Sequence, residues 1–141
     1  MLDREPMKVS KAMELAGKFY DEKTYAHAMR VASYVAANMT IPHEYRDECV
    51  ALAIMHDLWE DTDCPRGGVP ENFGKALALL TKEKGEDYAE YCKRIRPVDG
   101  LAYQNCAYWV KLADMKDHLT LTETLTNKRK AKYLAGMAVL L

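Results

Sequence analysis

The segment that most constrains this chain is an apolar run, VALAIM at positions 50–55, that passes straight into HDLWEDTD at positions 56–63. Of the nine residues from Met55 to Asp63, five are ionisable. A helix that enters a core cannot fill its next turn with imidazole and carboxylates unless something offsets their desolvation. Glu60 follows His56 by four residues, and Asp61 follows Asp57 by four. On a helix that spacing stacks side chains on one face. A divalent cation is one compensator, and imidazole with carboxylate suits zinc, manganese or iron. The plainer alternative is a helix end that runs out into solvent.

The rest of the chain reads as helix. Met7 to Tyr20 places Met13, Leu15, Ala16 and Phe19 at helical spacing. A second helix is expected from Thr24 to Met39, with Thr24 as its N-cap. Pro42 suits the first turn of a third helix that continues through ECVALAIMHDLWED. DTDCPRGGVP is a loop by its Asp, Gly and Pro content. Further helices are expected over Glu71–Thr81, Glu86–Ile95 and Leu101–Leu119. The polar stretch TLTETLTN then leads to a last helix ending in YLAGMAVLL. No run of alternating β-branched residues suggests a strand. The expectation is an all-α, single-domain bundle over residues 1–141.

Composition narrows the function. A net charge of -1 gives no global grip on DNA or RNA, so no nucleic-acid polymer is expected as a partner. The basic runs CKRIR and NKRKAK read as solvated faces, without aromatics interleaved for base stacking. Cys49, Cys64, Cys92 and Cys106 form no CxxC pair and read as free, buried thiols in a reducing cytoplasm. The methionines, from Met7 to Met137, read as core filler. MLDREPMKVS lacks the apolar centre of a signal peptide, and no stretch approaches a membrane span.

A catalytic metal site needs more than two protein ligands. His27 lies mid-helix in YAHAMRVASYV, and Asp114 ends the apolar run of WVKLADM. Both are polar where periodicity expects burial. With His56 and Asp57 they would supply two nitrogen and two oxygen donors, leaving positions for water and substrate. Any one such histidine is more often an ordinary core or surface residue; the ordered set is what carries weight.

That set resembles the HD-domain phosphohydrolases, and within them the hydrolase domains of the RelA/SpoT family and their small single-domain relatives. YAHAMRVA is similar to the family's His-containing second helix, and MHDLWEDT to its LLHDVVEDT pattern. NFGKALALLTKEKGEDYAEYCKRI, VKLADMKDHL and KRKAKYLAGMAVLL resemble the segments that follow, so the likeness runs from about Lys11 to Leu140. It implies an HD-type helical bundle. His27, His56, Asp57 and Asp114 would bind one metal, most often manganese, with zinc, iron, cobalt or nickel as alternatives. Glu60 and Asp61 match the acidic pair assigned to hydrolysis. Lys111 and His118 would contact phosphate or ribose, and Tyr133 would line the nucleotide pocket. The plain alternatives are a snorkelling lysine, a helix-end histidine and a core tyrosine. Arg30 reads as a salt-bridge partner rather than a phosphate clamp.

The chain departs from the family in three places. The loop ahead of His27 is only DEKTYA, without the basic pair expected near a guanine base. Ala28 stands where the family often has proline, and His118 where it has asparagine. The resemblance implies a cytoplasmic monomer or homodimer that hydrolyses guanosine-3',5'-bis(diphosphate) to release 3'-pyrophosphate. Discrimination between guanine and adenine would be weak without the basic pair. The alternatives are an HD nucleotidase or phosphodiesterase on another nucleotide, or a non-catalytic, metal-dependent nucleotide sensor.

Overall fold

The computed structural model describes residues 6–121 and 124–141. Part of MLDREPMKVS and two residues of TLTETLTN thus lie outside the described residues. The described residues form eight helices and no strand, so the fold is all-α. The helices are α1 (Val9–Phe19), α2 (Glu22–Ala37), α3 (His43–Met55), α4 (Leu58–Asp61), α5 (Glu71–Leu80), α6 (Tyr88–Arg94), α7 (Ala102–Thr120) and α8 (Asn127–Leu140).

Helix α3 is the centre of the bundle, packed against α1, α2, α5 and α7. Every residue from Ala51 to His56 is buried, so its C-terminal half has no solvent face. Helix α1 docks Ala12 and Ala16 inward. The Tyr20 hydroxyl just beyond it donates to the Ile54 carbonyl at 2.7 Å. Helix α7 buries residues on more than one side, among them Cys106, Val110, Lys111, Asp114, Met115 and Asp117. It contacts α2, α3, α5 and α8. No helix is long and apolar enough to cross a membrane, among the described residues.

Several local expectations need correction. Helix α2 starts at Glu22, because Asp21 and not Thr24 is the N-cap; the Asp21 carboxylate accepts the Thr24 N–H at 2.7 Å. Helix α6 starts at Tyr88 rather than Glu86. Asp87 caps it, and Glu86 instead pairs with Arg94 at 2.7 Å. Met39 is 85% exposed and Met13 39% exposed, so neither fills the core. Cys49, Cys92 and Cys106 are buried thiols, whereas Cys64 is only partly covered.

The correction that matters most is at the end of α3. The expected continuous helix breaks after Met55 and resumes as the single turn α4. A continuing helix would give the Ala53 carbonyl to the Asp57 N–H. Here that carbonyl accepts the His56 backbone N–H at 3.4 Å and the His56 Nδ1–H at 2.6 Å. The histidine ring competes for the acceptor, and the chain turns at Asp57 with φ -97° and ψ 0°.

Helix α8 is held by a close approach. It buries only Gly136 and Leu140. A Cβ at Gly136 would lie 2.7 Å from the Tyr88 ring and 2.8 Å from the Met115 methyl group. Gly136→Ala gains about 1 kcal/mol of helix propensity. Overpacking against a buried ring costs about 1–3 kcal/mol. The substitution should therefore lower the urea midpoint, with α8 displaced from α6 and α7. An unchanged or higher midpoint would show that the contact yields freely.

Candidate metal centre

Four of the residues expected as ligands come together. His27 from α2, His56 and Asp57 from the end of α3, and Asp114 from α7 offer donor atoms that all lie within 4.8 Å of one another. His27 Nε2 is 2.8 Å and His56 Nε2 3.1 Å from Asp114 Oδ1. The same two nitrogens are 3.7 Å and 3.2 Å from Asp57 Oδ2. His27, His56 and Asp114 are buried, while Asp57 keeps a side open to solvent.

The partners of the far nitrogens decide which face of each ring meets the carboxylates. His56 Nδ1 faces the Ala53 carbonyl, which can only accept, so that nitrogen carries a proton. His27 Nδ1 lies 2.6 Å from Asp117 Oδ2. Asp117 is wholly buried and is clamped by Arg30, whose Nε and Nη2 donate at 2.8 Å and 3.0 Å. The guanidinium and His27 hold its carboxyl below the usual range despite burial, so it too is an acceptor. Each neutral imidazole therefore turns an Nε2 lone pair toward the Asp114 carboxylate. That meeting is repulsive unless each ring takes a second proton or a cation sits among the donors. Two Nε2 atoms and two carboxylates with anchored rings are a fitting donor set for a divalent ion.

The remaining charges agree. Burial alone would raise Asp114, but the Lys111 ammonium and the surrounding imidazoles hold it well below the usual carboxylate range. Lys111 is not a snorkelling surface residue. It is 6% exposed, donates to Asp114 Oδ2 at 2.9 Å and lies 4.8 Å from the centre of the Tyr91 ring.

The acidic pair adjoins the same site. Asp57, Glu60 and Asp61 place carboxylate oxygens within 4.8 Å of one another, so Asp57 belongs to both groups. Glu60 Oε1 accepts the Lys82 N–H at 2.7 Å. Burial, then the charges of Asp57 and Glu60, push the Asp61 carboxyl up to about 6. Burial raises Glu60 as well.

His118 and Tyr133 also reach this region. The His118 ring stacks on the Tyr133 ring, with centroids 4.6 Å apart and planes 5° from parallel. The basic residues of NKRKAK, Lys128, Arg129, Lys130 and Lys132, are exposed along α8. Arg94 of CKRIR is instead tied to Glu86 and to the Leu79 and Thr81 carbonyls. Asp117, which the sequence pattern does not single out, is the buried partner of His27. Its signal was its position three residues after Asp114, on the same face of α7. No family model matches the chain, and a comparison with curated proteins finds no match.

Two outcomes follow from this geometry. Without metal, burial lowers both imidazoles, but carboxylates outweigh it, those of Asp114 and Asp117 at His27 and those of Asp57 and Asp114 at His56, leaving both above their ordinary value, His56 well above. Stability from a raised histidine is fully present below about pH 6.5 and is lost as pH rises through the folded value. The raised Asp61 loses stability in the same direction but over a lower window, between 3.8 and about 6. The unfolding temperature of metal-free protein should therefore fall from about pH 6 to 8. With excess divalent ion it should rise across that interval, because the ligands bind deprotonated. A metal-free curve that does not fall, or an ion without effect, contradicts the site. Second, Asp117→Asn should keep the fold and weaken metal affinity about 10–100-fold, as loss of a ligand-orienting partner does. Calorimetric titration measures this, and unchanged affinity would remove Asp117 from the site.

Proposed function

We propose that this protein is a metal-dependent phosphohydrolase acting on a phosphorylated nucleotide. The observation that carries the reading is the position of Asp57, which is common to the His/Asp donor set and to the Glu60–Asp61 pair. A group that can hold a cation thus adjoins carboxylates able to handle a proton. A purely structural metal site has no use for the second set.

When bound, a divalent ion neutralises charge on a phosphoryl oxygen and acidifies water. The protein supplies the rest. Arg30, Asp117 and the Ala53 carbonyl fix the two imidazoles. Lys111 keeps the outer oxygen of Asp114 engaged. Asp61, with its carboxyl near 6, is suited to take a proton from attacking water at neutral pH and to return it to the leaving oxygen. Glu60 is anchored through Oε1 by the Lys82 N–H, which leaves Oε2 to orient that water.

The sequence resemblance to RelA/SpoT hydrolase domains supports the finer proposal. The substrate would be a guanosine 3'-pyrophosphate, cleaved between the ribose 3'-oxygen and its phosphate. Lys111, buried against Asp114, would act on substrate through that carboxylate. Tyr133 and the exposed cations of α8 would meet the nucleotide. Manganese is the ion the resemblance names.

The test is a screen of phosphorylated nucleotides with manganese, zinc, iron, cobalt or nickel, measuring phosphate and pyrophosphate separately. Glu60→Gln with Asp61→Asn should retain metal and fold and lower turnover about 10²–10⁴-fold. Pyrophosphate release from a 3'-pyrophosphorylated guanosine supports the alarmone reading, and phosphate release from a nucleoside monophosphate moves the protein to a nucleotidase. Tight nucleotide binding with no hydrolysis under any ion would replace the enzyme with a sensor.

A further inference from the structure

His118 stands where the resembling family has asparagine, and its place in the structure suggests more than substrate contact. Its Nε2 is 3.3 Å from Asp114 Oδ1, the oxygen already met by His27 Nε2 at 2.8 Å and His56 Nε2 at 3.1 Å. The His118 and His27 rings are 4.5 Å apart. Three imidazole nitrogens therefore crowd one carboxylate oxygen. A carboxylate offers about two lone pairs per oxygen, so as N–H donors the three would oversubscribe Oδ1, and as unprotonated nitrogens they would turn lone pairs toward it. Its other oxygen is not free to share the load, since Oδ2 accepts from Lys111 at 2.9 Å. A cation beside Oδ1 resolves the crowding: the donors of His27, His56, Asp57 and Asp114 all lie within 4.8 Å of one another, and His118, outside that set but in contact with Oδ1, joins it by a small shift toward the ion.

We infer that His118 is a third imidazole ligand, so that the centre is a three-histidine, two-aspartate site and prefers zinc, cobalt or nickel to manganese. Asp114 and His118 lie four residues apart on α7 and present donors from one helix face, a spacing suited to chelating one ion. The parallel Tyr133 ring fixes the plane of the imidazole from α8. The side chain is one-third exposed, which leaves it room to adjust toward an ion. Chemistry sets the preference. Manganese is the weakest binder of the first-row series and favours oxygen donors, whereas each added imidazole favours the later ions. The inference rests on the metal-site reading above and adds one ligand and a selectivity to it.

The experiment uses full-length protein stripped of metal, with zinc and manganese competing at buffered free concentrations and bound metal measured by mass spectrometry. Pulsed electron paramagnetic resonance on protein loaded with one equivalent of Cu²⁺ counts coordinated imidazoles. Wild type should take zinc over manganese and show three imidazoles. His118→Asn, with folding checked by circular dichroism, should show two and lose about tenfold or more of the zinc-to-manganese ratio. Two imidazoles in wild type, or an unchanged ratio in His118→Asn with metal still bound, overturns the third ligand and leaves the four-residue site standing. No binding of any ion to wild type overturns both.

Discussion

One carboxylate oxygen organises this molecule. Asp114 Oδ1 is the common neighbour of imidazole nitrogens from α2, from the end of α3 and from α7 itself. With Nδ1 of His27 and His56 protonated, their Nε2 atoms tolerate that proximity only if each ring takes a second proton or a cation sits among the donors. The three helices that bear these residues are also those that pack on one another to form the core. The candidate cation site and the packed core therefore draw on the same elements. Asp117 and Arg30 extend the arrangement outward and leave the buried carboxylate of Asp117 fully partnered.

The break after Met55 shows how local chemistry serves this arrangement. A straight helix would have carried His56 and Asp57 onward with uninterrupted i to i+4 bonding. The His56 ring instead takes the Ala53 carbonyl, which ends α3 and fixes which nitrogen bears the proton. The same turn puts Asp57 between the histidines and the Glu60–Asp61 pair. A single hydrogen bond thus terminates a helix, selects a tautomer and joins two groups of carboxylates.

Much of this was legible in the sequence, for identifiable reasons. Helical periodicity and the absence of alternating β-branched runs were enough for an all-α fold. The four ligand candidates stood out because each is polar where burial was expected. What the sequence hid depends on partners distant in the chain. Asp117 looks like one more acid on a helix until Arg30 and His27, roughly ninety positions away, close around it. Lys111 looked equally suited to a surface until the Asp114 carboxylate and two tyrosine rings enclosed it. Helix ends shifted wherever a neighbouring acid was the better cap, as at Asp21 and Asp87.

The proposed place for a cation is beside Asp114 Oδ1. Anomalous diffraction from crystals grown with zinc or manganese, recorded at the absorption edge of the ion, tests it directly. One strong peak per chain is expected, bonded at least to Nε2 of His27 and His56 and to carboxylate oxygens of Asp57 and Asp114. A peak elsewhere, or none at an occupancy that other probes show to be full, would contradict it.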